Sequence, residues 1–159
     1  MILLITGSPA SGKTTIANIL SNKHKFQQID GDEVIKDLGL KSKAWNTIHH
    51  ELISRALSQH AVDNVVVSHV VPLEKMNLYQ TELLKSKIEL KVIVLQPTKE
   101  ALLERNQVRT CHPKPTPIEV IDYFYEKFQA YQNTSSDCLI IDTSNQAQEE
   151  TIKEILFWL

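Results

Sequence analysis

Two cysteines, Cys111 and Cys138, are all that this chain of 159 residues contains. They form neither a CxxC pair nor any metal-ligand spacing, so a disulfide framework and a zinc module are both excluded, and a reducing cytoplasm is the simplest compartment. No apolar run approaches the length needed to span a bilayer, so no membrane role is expected. Met1 leads straight into the first apolar stretch, which leaves no place for a charged leader and cleavage site. Charge of neither sign dominates. Lysine and arginine number 17 against 19 aspartates and glutamates, for a net charge of −2, so the global basic field of a general nucleic-acid binder is missing. No repeat, low-complexity tract or linker breaks the chain. With 42% apolar and 23% charged residues, the composition and length predict one soluble domain over residues 1–159 with a sizeable core. Glycine is scarce too, four in all, and two of the four bracket a single stretch, Gly7 to Gly12.

That stretch continues to Thr14 and reads Gly7-Ser8-Pro9-Ala10-Ser11-Gly12-Lys13-Thr14, with Thr15 behind it. It follows the apolar run Ile2-Leu3-Leu4-Ile5 and precedes a helical pattern carrying Ile16, Ala17, Ile19 and Leu20. Gly-x4-Gly-Lys-[Ser/Thr] between strand and helix is the phosphate-binding P-loop. Gly7 and Gly12 allow backbone angles that turn successive N–H groups toward an anion. The helix start adds unpaired N–H groups and a positive dipole end. Lys13 supplies a mobile charge for the β- and γ-phosphates, and the Thr14 hydroxyl is placed to hold Mg²⁺. The ligand expected here is a nucleoside triphosphate.

Further apolar runs at Val65–Val67, Val92–Leu95 and Leu139–Ile141, with a weaker one at Phe26–Ile29, are continuous rather than alternating, as strands covered on both faces read. Helical stripes separate them: Trp45, Ile48, Leu52 and Ala56; Ile118, Ile121, Phe124 or Tyr125, Phe128 and Tyr131; Ile152, Ile155, Leu156 and Leu159. Strands alternating with helices predict an α/β fold with a five-stranded parallel sheet wrapped on both faces, and ligands at the carboxyl ends of its strands. Ile29-Asp30-Gly31-Asp32-Glu33 ends the second strand. A carboxylate there, Asp30 or Asp32, can orient an acceptor hydroxyl as general base or hold Mg²⁺ through water, and Asp32 also suits the cap of the next helix. The strand ending at Val67 is followed by Ser68 where many P-loop proteins carry a metal-binding Asp, so that role is absent or passes to Asp30 or Asp32. His69 could contact the acceptor or a nucleotide phosphate, but a lone histidine in a loop reads first as a bystander. Thr98 reads as a helix cap, and the helix after it carries Arg105 and Arg109 on one face, poised to close over nucleotide. The Pro-rich Thr110–Pro117 stretch then makes a short lid of about residues 105–117. After the last strand, Thr143 or Ser144 reads as the cap of the final helix, in a loop placed near the purine ring.

Together these residues resemble the small P-loop kinases of the nucleoside-monophosphate-kinase-like group, of the adenylylsulfate kinase, chloramphenicol phosphotransferase, shikimate kinase and gluconate kinase type. The resemblance runs the whole chain, anchored on Gly7–Thr14, Asp30-Gly31-Asp32, Arg105 with Arg109, and Asp142-Thr143-Ser144. It implies a three-layer α/β/α P-loop NTPase fold with sheet order 2-3-1-4-5, ATP with Mg²⁺ as cofactors, and γ-phosphoryl transfer to the hydroxyl of a small molecule. Carried over, Lys13, Asp32, Asp30 and Arg109 are the catalytic candidates. Gly7, Ser8, Pro9, Ala10, Ser11, Gly12, Lys13, Thr14, Thr15, Arg105, Arg109 and Ser144 bind nucleotide, and Thr14 and Asp30 face the metal. The arginine-rich substrate clamp of shikimate kinases and the arginine of a nucleoside-monophosphate site have no counterpart here. An acceptor pocket built from residues 34–45 and 68–76 holds few cations, namely Lys36, Lys41, Lys43 and Lys75. That suits a neutral or weakly anionic acceptor stacked on Trp45. Guanine specificity is disfavoured, because no Asn-Lys-x-Asp follows a strand. The alternatives are a nucleoside or nucleotide kinase, a polynucleotide 5′-hydroxyl kinase (the one route by which nucleic acid becomes a partner), and a non-catalytic ATP-binding switch. A monomer or a homodimer is expected.

Overall fold

The structure is a computed structural model that describes residues 1–40, 44–109, 115–131 and 137–159. Its elements run β1 (Ile2–Gly7), α1 (Lys13–His24), β2 (Gln27–Asp30), α2 (Gly31–Asp37), α3 (Trp45–His60), β3 (Val65–Ser68), α4 (Leu73–Lys85), β4 (Leu90–Leu95), α5 (Lys99–Val108), α6 (Ile118–Gln129), β5 (Cys138–Ile141) and α7 (Gln148–Trp158). The five strands form one parallel sheet of order β2-β3-β1-β4-β5. This is the expected α/β P-loop architecture and order. No described helix is long and apolar enough to cross a membrane.

The layering follows from the continuous apolar runs. In β1, Ile2 and Leu4 face one side and join Val65, Val67, Val92 and Val94 in a core covered by α3, α4 and α6. Leu3 and Ile5 face the other and pack with Val66, Ile93 and Leu95 against α1 and α7. A strand buried on both faces has no polar side to present, which is why its sequence does not alternate.

Local chemistry moved several element ends. Asp30, not Asp32, caps α2, its side chain accepting from Asp32 N. Thr98 caps α5 as expected, but that helix stops at Val108, and Arg109 is already extended at φ −69° and ψ 137°. The two arginines therefore do not share one helical face. The final helix is capped at Ala147 rather than at Thr143 or Ser144, because Ser144 N turns back to Asp142 Oδ1 at 2.8 Å. Of the alternatives on α6, Phe124 enters the core and Tyr125 does not. Helix α4, with Met76, Tyr79 and Leu83 buried, had no place among the three sequence stripes. The expected lid lies partly outside the described residues, as do Lys41, Lys43, Cys111 and His112.

One side chain fixes the loop after β3. Thr6 Oγ1 accepts from Val71 N at 2.8 Å and lies 3.2 Å from Val71 O, to which it donates; Tyr131 donates to the same carbonyl at 2.8 Å. All three residues are buried. Thr6→Val keeps the shape but strands the Val71 N–H, so it is expected to destabilise the protein by about 1–3 kcal/mol, with Thr6→Ser clearly milder. Urea denaturation of the two variants checks this; equal losses would place the effect in packing instead.

Candidate active site at the carboxyl edge of the sheet

The loop after β1 is held tightly against the sheet. A Cβ on Gly7, at φ 150°, would stand 2.4 Å from Leu95 O, so only glycine lets β1 turn beside β4. Ser11 N closes a turn on Ser8 O at 3.2 Å, and Gly12, at φ 99°, opens α1 with no side-chain cap. The first-turn N–H groups of α1 are therefore left to face an anion. Lys13 Nζ folds back to donate to Ser8 O at 2.8 Å and Ser11 Oγ at 3.5 Å, and Ser8 Oγ is buried without a hydrogen-bond partner among the described residues. Pro9 and Ala10 form the half-buried tip, and Thr14 and Thr15 lie on the exposed side of the first turn of α1.

Asp30 is where this loop meets the neighbouring strands. Its Oδ2 accepts from Thr14 Oγ1 at 2.8 Å and from Ser68 Oγ at 2.9 Å, while Oδ1 accepts from Asp32 N at 2.8 Å. The carboxylate is buried and tied to α1, β3 and α2 at once. Ser68, standing where an Asp was looked for, is thus a donor that orients Asp30. Asp32 lies exposed in the first turn of α2. A carboxyl group beside a threonine hydroxyl, at the mouth of an anion cradle, is an all-oxygen donor set that suits a hard divalent cation.

Beyond Asp30 lies an aromatic cluster that the sequence did not reveal. The His69 ring sits on Gly31 so closely that a Cβ there would come within 2.1 Å of Nδ1. It meets His49 edge-on at 5.4 Å between centroids, and Trp45 covers both, at 5.7 Å from His49 and 6.0 Å from His69. Tyr79 Oη and His49 Nδ1 are 2.8 Å apart. The Nε2 atoms of His49 and His69 are both buried with no partner among the described residues. Desolvation, followed by the charges of Lys75 and His50, lowers the His49 pKa to about 4. Desolvation, then His49 and Lys13, lowers that of His69 to about 3. Both rings are neutral near pH 7.

The arginines turn elsewhere. Arg105 donates to the Thr143 and Ser144 carbonyls and to Thr143 Oγ1, which fastens α5 to the loop after β5. The Ser144 hydroxyl is engaged on both sides, donating to Asp142 and accepting from Thr98 N. Arg109 donates to Thr116 Oγ1 at 3.2 Å. Buried Asn106, which drew no attention in the sequence, brackets the Thr116 backbone with two bonds of 2.8 and 2.9 Å. Loop and carboxylates are thus brought together, while Arg105 contacts the loop after β5 and Arg109 contacts Thr116. Two surface cavities of about 460 and 520 Å³ run along α4 instead, and neither is lined by Lys13, Thr14, Asp30 or Asp32.

Residues 2–131 match the AAA domain family, and no curated protein sequence matches the chain. Solved structures repeat the fold at low identity. An unliganded sugar kinase from Janibacter sp. HTCC2649 superposes with TM-score 0.77 at 15% identity, over 99% of this chain and 92% of that one. The APS kinase of Mycobacterium tuberculosis, in complex with AMPPNP and APS, gives 0.75 at 17%, over 99% and 95%. A gluconokinase from Sinorhizobium meliloti 1021 gives 0.74 at 19%, over 98% and 89%. At these identities the likeness is one of fold.

Two measurements probe the cluster. Gly31→Ala drives a methyl into a buried ring and is expected to destabilise by about 1–3 kcal/mol. Combined with His69→Ala, the loss falls below the sum of the two single losses; additivity would refute the contact. Acid is the second probe. Below pH 6.5 the unfolded histidines take up protons that the buried rings refuse, so their contribution is complete above that pH and is lost toward pH 4 and 3. Wild-type stability is expected to fall by up to about 1.4 kcal/mol per pH unit for each ring between pH 6.5 and 5, with a shallower slope in His69→Phe. A flat wild-type profile would refute buried, neutral rings.

Proposed function

The chain belongs to the AAA domain family, and we propose that within it the protein is an ATP-dependent phosphotransferase acting on a hydroxyl of a small molecule. The observation that carries this reading is the bond from Thr14 Oγ1 to Asp30 Oδ2 at 2.8 Å. It joins the phosphate-binding loop to a carboxylate at the acceptor edge, where Asp32 stands exposed beside it. The fold shared with sugar, gluconate and APS kinases supports it.

In this reading the N–H groups of Gly7–Thr14 cradle the triphosphate, and Lys13 leaves Ser8 O to follow the β- and γ-phosphates. Thr14 and Asp30 would hold Mg²⁺, directly or through water, and the ion when bound neutralises charge between the β- and γ-phosphates. Ser68 and Asp32 N keep Asp30 turned toward Thr14. Asp32, exposed beside this pair, accepts the acceptor's hydroxyl proton. The acceptor oxygen forms its bond to the γ-phosphorus as the bond to the β,γ-bridging oxygen breaks, and ADP leaves with that electron pair. Arg109 faces the phosphates from the segment anchored by Asn106, and Arg105 with Ser144 shapes the loop beside the base. That segment, about residues 105–117, closes as a short lid. The two cysteines fit a cytoplasmic setting.

Lys13→Ala is expected to abolish ATP binding with the fold intact. Asp32→Asn should lower turnover at least about 100-fold and shift ATP affinity little, whereas Asp30→Asn raises the Mg²⁺ requirement. Acceptor-dependent ADP release and nucleotide titration read these effects. If Asp30→Asn takes the larger turnover loss at saturating Mg²⁺, the two carboxylates exchange roles; full turnover in Lys13→Ala sinks the assignment.

A further inference from the structure

The histidine cluster does nothing in the scheme above, yet it adjoins the reacting edge. Ser68 binds Asp30, and the next residue, His69, lies flat against Gly31, between Asp30 and Asp32. His69 is 6% exposed and His49 0%, and each leaves Nε2 buried without a partner among the described residues. A buried polar atom without a partner is unfavourable, and two adjacent ones call for a ligand or ordered water to complete them. Trp45, which covers both rings and meets Phe124 at 5.8 Å between centroids, is itself half-buried, so part of the indole is exposed beside the cluster.

Arg55 is paired with Asp37 and Glu51 and Lys127 with Glu74, while Lys75 donates to the neutral amide of Asn46 at 3.0 Å and keeps its charge. Lys36 is exposed at the last turn of α2, and Asp30 and Asp32 add negative charge. A neutral imidazole nitrogen offers one N–H or one lone pair, which matches a hydroxyl, able both to donate and to accept, and leaves an anion uncompensated.

We propose that His49 and His69 are the acceptor-recognition groups, and that the acceptor is an uncharged polyhydroxylated molecule. One of its hydroxyls lies by Asp32, others exchange hydrogen bonds with the two Nε2 atoms, and its C–H face rests on Trp45. Acceptors carrying carboxylate or phosphate beside the receiving hydroxyl are selected against. This inference rests on the phosphotransferase reading and assigns its substrate class.

The test measures ADP release with Mg²⁺ and ATP against matched sets that carry one skeleton in three forms: an aldohexose, its aldonate and its phosphate monoester. The neutral member is expected to exceed its charged partners at least tenfold in kcat/KM. His69→Phe and His49→Phe, which keep an aromatic ring but remove the nitrogens, should raise KM for it at least tenfold with kcat changed far less. His69→Gln should recover part of the loss. Nucleotide binding in each sample reports that the variant has folded. Where a ring variant fails to fold, Trp45→Ala reads the same site through loss of stacking and should raise the same KM. Preference for a charged member, as Lys41 and Lys43 outside the described residues would produce if they lined the site, overturns the inference and leaves the kinase reading standing. So does an unchanged KM in the folded variants. Nucleotide binding with no stimulation by any member overturns the kinase reading, and the inference falls with it.

Discussion

The Asp30 carboxylate is the point on which the site's geometry depends. A buried carboxylate needs donors for both oxygens, and here they come from three directions: a helix N-terminus, the phosphate loop and the adjacent strand. Each bond also fixes something else. Asp32 N starts α2, Thr14 Oγ1 sets the rotamer at the end of the P-loop, and Ser68 Oγ holds the register in which Asp30 pairs Ser68. The relative position of the loop, the Thr14–Asp30 pair and exposed Asp32 is thus an outcome of satisfying one buried carboxylate.

How much of this could be read in the sequence follows from the range of the interactions. Strands buried on both faces announce themselves as continuous apolar runs, and the P-loop is a contiguous motif whose flanks can be checked, so sheet, layers and anion cradle were legible. Element ends were less so, because caps are competitions between neighbours. Asp30 and Asp32 both qualify on composition, and the winner is decided by where β2 stops. Ser144 qualifies as a cap until Asp142 takes its N–H. The arginine pair fails as a helical face by one residue, since the chain must leave the helix in time for Asn106 to reach Thr116. Helix α4 buries only Met76, Tyr79 and Leu83, too thin a stripe to stand out.

The histidine cluster lay beyond sequence reasoning for a different reason. His49 lies within α3 and His69 beyond β3, twenty residues apart, and no local pattern links them. The one trace was Gly31, which looked like a turn residue between two acids. It opens α2 without a positive φ, and what a side chain would meet there is the His69 ring. Glycine in a helix's first turn is unfavourable for the helix by roughly 1 kcal/mol against alanine, and the space it leaves is what brings an imidazole to the catalytic edge.

The arrangement divides the work of the sheet's carboxyl edge by charge. In the phosphotransferase reading we propose, N–H groups and Lys13 on the β1 side would meet an anion whose charge moves during transfer, so fixed dipoles and a mobile cation are the fitting partners. On the β2–β3 side, beyond the two carboxylates, the aromatic groups are neutral and held by packing, Trp45 on His49 and His69, and Tyr79 on His49. Had either ring carried charge at neutral pH, it would stand close to the carboxylate that must stay turned toward Thr14 and would compete for it. Burial deep enough to keep the rings uncharged therefore protects the Thr14–Asp30 bond, and in the proposed reading it would leave recognition of the acceptor to hydrogen bonding and shape.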